Sequence, residues 1–330
     1  MPKVSVCIPT YNRANYLRYS LESVLAQTET DFELIICDDA SIDATAEIVE
    51  SYQDPRICYI RHEKNQGRSR NMRSGFDAAQ GKYFIKFDDD DALTPTFLEK
   101  TVSVLDQQGE LDFVCTNHWI INANNQRMES ATNENSARWG KDKISEGIIA
   151  DLLWQTFIYQ SLQVGSSLFR RESLTAVDYM RPEADGCEDF DLLVRLALAG
   201  YQGYFIPQYL MEYRFHGGQT SLAQSLHFLQ AKLFCTKSYR FPDPELEGKR
   251  VVKAAELEQD LGIRLIEKGE GKAGRELLQA SIKTLGSSQR AKLGLLLSYL
   301  PVNLREGVLG VFRRLRPQTY TDKVRLGSVD

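Results

Sequence analysis

Residues 83–91 read Tyr-Phe-Ile-Lys-Phe-Asp-Asp-Asp-Asp, a short aromatic and apolar run that stops in four consecutive aspartates. The run has the length and composition of a buried strand, with Gly81 just ahead of it. Four adjacent carboxylates repel one another and are poor strand formers, so the acidic end needs a compensating charge. Hard divalent ions such as Mg²⁺ are commonly held by one or two carboxylates together with substrate phosphates, and an acidic strand end suits that use. The alternative is a solvated acidic turn ahead of the helix that begins near Pro95.

The preceding residues repeat a strand–helix pattern. Strands are expected at Val4–Pro9, Phe32–Cys37 and Arg56–Ile60, and helices at Tyr16–Ala26, beyond Asp43, and at Ser69–Ala79. Strands that alternate with helices at short spacing predict an α/β fold, a mostly parallel sheet with helices on both faces. In such sheets ligands bind beyond the carboxyl ends of the strands. Those ends here carry Pro9-Thr10-Tyr11-Asn12, Asp38-Asp39 and Asp88–Asp91. No G-x-G-x-x-G follows the first strand and no G-x-x-x-x-G-K-[ST] occurs, so the usual dinucleotide and P-loop phosphate cradles are missing.

After the acidic run, a helix is expected from Pro95 to Leu105 and a strand over Leu111–Ile121. A polar loop or short hairpin is expected over Asn122–Lys143, a helix over Ile144–Phe157, and a strand over Gln163–Phe169. Residues 186–196, with Leu192, Leu193 and Leu196 on one face, form a helix whose first turn holds Glu188 and Asp189. Acids in that turn are favoured by the helix dipole alone. Tyr204–Ile206 and Tyr209–Phe215 read as edge strands that deliver His216 towards the same cleft. From about Leu222 the sequence becomes helical throughout, which divides the chain into an α/β domain at 1–221 and a helical extension at 222–330.

The net charge of −5 gives no support for a nucleic-acid partner. Six cysteines lack metal-ligand spacing, and Cys7, Cys37, Cys58 and Cys115 lie in apolar runs, as buried reduced thiols in a reducing cytoplasm would. No leader peptide or membrane-spanning stretch is read. The leucine-rich, basic stretch 291–316 fits either a helix packed on the protein body or one lying on the inner face of the cell membrane.

Taken in order, Val4–Arg13, Asp38-Asp39, Phe87–Asp91 with Pro95, Glu188-Asp189 with Arg195, and Tyr213-Arg214-Phe215-His216 resemble the motifs of family 2 glycosyltransferases of the GT-A fold. The resemblance covers roughly residues 4–221. It implies an inverting transferase that uses a divalent cation, Mn²⁺ or Mg²⁺, and a nucleotide-sugar donor, a UDP-sugar by analogy. The acceptor it implies is a glycan or a lipid-linked sugar in surface polysaccharide synthesis. Pro9, Thr10, Tyr11 and Asp39 would hold the nucleotide, and Arg68, Arg73, Asp88 and Asp89 the rest of the donor. Asp90, Asp88 and His216 would hold the metal. Asp189 would be the general base, with Glu188 and Arg195 orienting it or contacting substrate. One departure stands out: Arg73 occupies a place where the family commonly has asparagine. Two rival readings are a nucleotidyltransferase that makes sugar nucleotides and an inactive binding scaffold of the same fold. The first should carry a glycine- and arginine-rich loop where Pro9–Asn12 stands.

Overall fold

The computed structural model describes residues 1–216, 225–301 and 304–305. The chain separates into two compact units. Described residues of the first are 1–182 and 188–216, and those of the second are 183–187, 225–301 and 304–305. The boundary expected at 221/222 lies outside the described residues.

The first unit is built on a nine-stranded sheet: β1 Val4–Thr10, β2 Phe32–Asp38, β3 Ile57–Arg61, β4 Tyr83–Lys86, β5 Ala92–Leu93, β6 Phe113–Ile121, β7 Gly147–Ile148, β8 Ser167–Arg170 and β9 Gly203–Arg214. The order is β3-β2-β1-β4-β8-β6-β9-β5, with β7 also paired to β9. Strand alternation sorts β1 between two cores: Val4, Val6 and Ile8 face one, and Cys7 faces the other. On the first face pack α1 (Ala14–Leu25) and α4 (Phe97–Gln107), through Leu17, Leu21, Val24, Phe97, Leu98, Val102 and Leu105. On the second face lie α3 (Arg68–Ala78), α6 (Arg171–Ala176) and α7 (Glu188–Leu198), through Met72, Leu174, Leu192, Leu193 and Leu196. A Cβ at Gly75 would come within 2.2 Å of Cys7 Sγ, so the absence of a side chain lets α3 lie directly on the sheet.

The expected mixture of strands and covering helices is present. The parallel character, however, is confined to β3-β2-β1-β4 and to the β6–β9 pair. The β4–β8, β6–β8, β5–β9 and β7–β9 pairs are antiparallel, which makes the sheet mixed. The two edge strands expected over 204–215 are one strand, β9, interior to the sheet and irregular in register near Asn117 of β6. The stretch 122–143 contains a further helix, α5 (Glu129–Arg138), whose polar sequence buries only Ala131, Thr132 and Ser136. The helix expected over 144–157 begins later: Gly147 sits at φ +132° in β7, and a π-helical turn runs over Trp154–Tyr159. Cys58 is exposed on β3, the terminal strand of the sheet, and not buried as expected.

The second unit is helical: α8 (Ser225–Ser238), α9 (Pro244–Glu267), α10 (Gly271–Leu285) and α11 (Gln289–Leu297). Asp243 caps α9 by accepting from Leu246 N, and Pro244 occupies its first turn. Leu233, Leu257, Leu261 and Leu265 form one core, and Ile263, Ile266, Leu278 and Leu297 another. No helix among the described residues is long and apolar enough to cross a membrane. Residues 306–316 of the stretch singled out as basic and leucine-rich lie outside the described residues.

Candidate active site

The acidic run leaves β4 at its carboxyl end and turns at once into β5. Arg214, fully buried at the end of β9, holds that turn in place. Its backbone N–H donates to Asp91 Oδ1 (2.9 Å), Nε donates to the Asp90 carbonyl (2.6 Å) and Nη1 to the Asn122 carbonyl (2.9 Å). Its guanidinium also lies over the rings of Tyr16 and Tyr19, 4.9 and 5.2 Å from their centroids. Two residues on, His216 Nε2 lies 3.0 Å from Asp90 Oδ2, with its ring against Tyr16.

The four aspartates do not share one environment. Asp88 faces Lys86 Nζ at 2.7 Å and Arg68 Nη2 at 4.0 Å. Burial works to raise its carboxyl, and these two cations override it and hold the group below the usual range. Asp89 is pushed up to about 8 by burial and then by the neighbouring Asp90 charge, which outweigh the Thr10 hydroxyl and Arg13. Asp91 is fully buried and is raised for the same two reasons. Its Oδ2 has no hydrogen-bond partner among the described residues.

Lys86 is the residue that sequence reasoning missed. It is 1% exposed inside β4, and its Nζ reaches Asp88 Oδ1 at 2.7 Å and Asp189 Oδ2 at 3.5 Å. Burial alone would favour the neutral amine, but Asp189 and Asp88 outweigh it and raise its pKa. The available signal was a single lysine in an otherwise apolar strand directly ahead of the acids.

Glu188 and Asp189 open α7 as expected. Glu188 is buried and accepts from Ser69 Oγ at 2.8 Å, which ties the first turn of α7 to the first turn of α3. Burial raises its carboxyl, with Arg68 opposing. Asp189 points the other way, towards Lys86, and among the described residues its Oδ1 is without a hydrogen-bond partner.

At the end of β2, Asp39 is buried and turned to the β3–α3 connection. Its carboxylate accepts from Gln66 N (2.7 Å) and Gly67 N (3.0 Å), while its own N–H donates to the Thr10 carbonyl (3.0 Å). Gly67 takes φ +90°, a conformation that suits glycine, and releases the chain into α3. Thr10 is buried, Pro9 is half-buried and Tyr11 is exposed, so the three present a graded wall beside Asp39. Across the cleft, the turn Val164–Ser166 passes close to Asp88: a Cβ at Gly165 would sit 3.7 Å from Asp88 Oδ2.

Two expected site residues are elsewhere. Arg195 does not reach Asp189. Its Nε donates to Asp191 Oδ2 at 2.7 Å and its other nitrogens to the carbonyls of Val177 and Tyr179. Arg73 likewise binds the Asp178 and Met180 carbonyls (3.2 and 3.1 Å) and the Asp178 carboxylate (2.9 Å). Both arginines are drawn to the irregular segment 177–180, whose carbonyls have no regular ladder to satisfy them. Arg68 alone of the two expected donor arginines faces the acids.

Among the described residues no three His, Cys, Asp or Glu side chains converge as a complete metal cage. The donor set still suits a hard cation that takes most of its ligands from phosphate and water. Asp90 is partly open beside His216, and Asp91 Oδ2 is buried with no hydrogen-bond partner among the described residues.

A strand-end carboxylate run, a cluster of polar and acidic residues at the switch between β1 and β4, and an acidic helix start define a GT-A glycosyltransferase fold. Residues 5–174 match the family described as Glycosyl transferase family 2, and the chain belongs to it. The chain is 26% identical over 254 residues to an uncharacterized glycosyltransferase of Methanocaldococcus jannaschii, covering 72% of this chain and 83% of that one. It is 30% identical over 216 residues to the glycosyltransferase EpsE of Bacillus subtilis, covering 64% of this chain and 73% of that one. Among solved structures it resembles S. aureus TarS 1–349 in complex with UDP-GlcNAc (TM-score 0.65, 17% identity, 96% of this chain and 93% of that one). It also resembles the mannosyltransferase PcManGT from Pyrobaculum calidifontis in complex with GDP-Man and Mn²⁺ (TM-score 0.59, 17% identity, 99% and 86%).

Proposed function

We propose that this glycosyltransferase is inverting and metal-dependent. It moves a sugar from a nucleotide-sugar, a UDP-sugar in the leading reading, to a hydroxyl of a glycan or lipid-linked acceptor in cell-surface polysaccharide synthesis. The observation that carries this reading is the convergence of Asp88, Asp90, His216, Lys86 and Asp189 at the carboxyl end of β4. A UDP-GlcNAc complex of one structural relative and a GDP-Man and Mn²⁺ complex of another support a nucleotide-sugar donor and a divalent cation.

Asp90, with His216 beside it, would hold a divalent cation, which would supply Lewis-acid neutralisation of leaving-group charge. The protein's own residues do the rest. Asp39 keeps the loop before α3 in place beside the nucleotide, and Asp88, fixed by Lys86 and Arg68, faces the ribose and sugar. Asp189 takes the acceptor hydroxyl proton as that oxygen attacks the anomeric carbon. The bond from that carbon to the diphosphate breaks on the opposite face, the electron pair leaves with the nucleotide, and the configuration inverts, as in single-displacement glycoside chemistry.

Exposed Leu296, Tyr299 and Leu304 in the second unit support peripheral contact with anionic membrane through residues 291–316. Removal of residues 291–330 should then abolish co-sedimentation with anionic vesicles.

A thermal-shift screen with UDP, GDP, dTDP and CDP, each with and without Mn²⁺, tests the donor reading, because a ligand of the folded state raises the melting temperature by mass action. A Mn²⁺-dependent shift with UDP is expected. A shift with another nucleotide alone would retain the transferase and overturn the uridine assignment. No shift with any of the four would favour the scaffold reading.

A further inference from the structure

Lys86 has no place in the expected site, yet it is more deeply enclosed than any acid it touches. Its ammonium sits at the bottom of the cleft, 2.7 Å from Asp88 Oδ1 and 3.5 Å from Asp189 Oδ2, while those carboxylates remain 27% and 37% exposed. The two acids come from elements far apart in the chain, the end of β4 and the first turn of α7. Lys86 is the cation that touches both.

Each contact has a consequence. Two carboxylates facing one cleft that must also admit a diphosphate repel each other and the substrate. A buried ammonium between them offsets that repulsion, and three N–H donors on one nitrogen can serve both acids. Within Asp189 the contact falls on Oδ2 only. Oδ1 is buried and has no hydrogen-bond partner among the described residues, so the Lys86 contact on Oδ2 is what fixes the carboxylate. Glu188 cannot substitute, because its carboxylate is engaged with Ser69 on the other side of the helix start.

Resting on the transferase reading above, we infer that Lys86 is a positioning residue for the reaction. It bridges Asp88 and Asp189 and holds the Asp189 carboxylate by Oδ2 in the orientation in which it receives the acceptor hydroxyl proton. Lys86 itself exchanges no proton in this step; the proton passes from the acceptor oxygen to the Asp189 carboxylate, and Lys86 fixes where that group stands. A positioning residue of this kind should affect turnover much more than nucleotide binding.

The test uses the full chain with Mn²⁺ and the nucleotide-sugar of whichever nucleotide shifts its melting temperature, following release of nucleoside diphosphate to water or to added acceptor. Lys86→Met should lower kcat by about 100-fold, the scale of a misplaced catalytic group, with KM within about 3-fold of the parent. Lys86→Ala should behave alike and recover at least about 10-fold when propylamine is supplied, but not when propanol is, because only the amine replaces the ammonium. If Lys86→Met does not fold, Lys86→Ala in propylamine carries the comparison. A Lys86→Met enzyme with unaltered kcat overturns the inference. So does a lost kcat that amine fails to restore in a folded Lys86→Ala protein. The reading beneath it fails separately: a parent protein that turns over no nucleotide-sugar, or an Asp189→Asn variant that turns it over normally, removes the reaction and not only the role of Lys86.

Discussion

His216 Nε2 lies 3.0 Å from Asp90 Oδ2, and the two residues follow the ends of β9 and β4, strands that are not neighbours in the sheet. Arg214 makes the approach possible by tying its backbone N–H to Asp91 and its side chain to the Asp90 carbonyl. Asp90→Ala is therefore expected to abolish the Mn²⁺-dependent part of the nucleotide thermal shift. His216→Ala is expected to weaken it by about 1 kcal/mol or somewhat more, the scale of one hydrogen bond to a charged group. Titration of Mn²⁺ at fixed nucleotide measures both.

Asp39 accepts from the backbone of Gln66 and Gly67, so its removal should loosen the start of α3 as well as the nucleotide wall. Asp39→Ala should lower stability and nucleotide affinity together. Gly67→Ala, at a position where nothing crowds the added Cβ but φ is +90°, should cost about 1 kcal/mol of stability from backbone strain alone. Urea denaturation of the two variants separates the hydrogen bonds from the strain.

Arg195 and Arg73 look like site residues in sequence and are anchors of segment 177–180 in the fold. Asp191 is fully buried and shared by Arg181 and Arg195. Arg195→Met leaves that acid with one cation and should destabilise the protein by about 3 kcal/mol. The nucleotide shift, measured as a difference from the variant's own melting temperature, should persist. Arg68→Met should show the reverse pattern, with nucleotide binding lost and stability nearly kept.

Much of this arrangement was legible before any coordinates. The alternation of Val4, Val6 and Ile8 with Ser5 and Cys7 marks a strand covered on both faces, and acids at the ends of β2 and β4 mark where a parallel sheet binds ligands. What failed has physical reasons. α5 lacks an apolar stripe because it covers the sheet only through small residues, so periodicity could not reveal it. Arg195 and Arg73 went to carbonyls of an irregular segment, whose unsatisfied groups leave no mark in spacing. Lys86 pairs with Asp189 across 103 positions, a contact created by tertiary packing alone.

A buried pair away from the cleft gives a pH prediction. Lys141 Nζ donates to His118 Nδ1 at 2.9 Å, and burial lowers the lysine from 10.5 to about 8. His118 is held well below its ordinary value by burial and then by Lys141, and so stays neutral. Between about pH 8 and 10.5 the unfolded chain keeps a proton that the folded chain has released. Stability from this group therefore rises with pH across that window, by at most about 1.4 kcal/mol per pH unit. Lys141→Met should remove that rise, so the stability difference between parent and variant should change across pH 8 to 10.5. Urea unfolding at each pH checks it.

The most direct measurement is release of nucleoside diphosphate from the nucleotide-sugar, in Mn²⁺, by the parent protein and by Asp189→Asn. The expected result is turnover by the parent, and by Asp189→Asn a rate lower by about 100-fold or more with the nucleotide thermal shift retained, since a general base contributes on that scale. Equal rates for the two proteins would contradict Asp189 as the base, and with it the reaction assigned to this cleft.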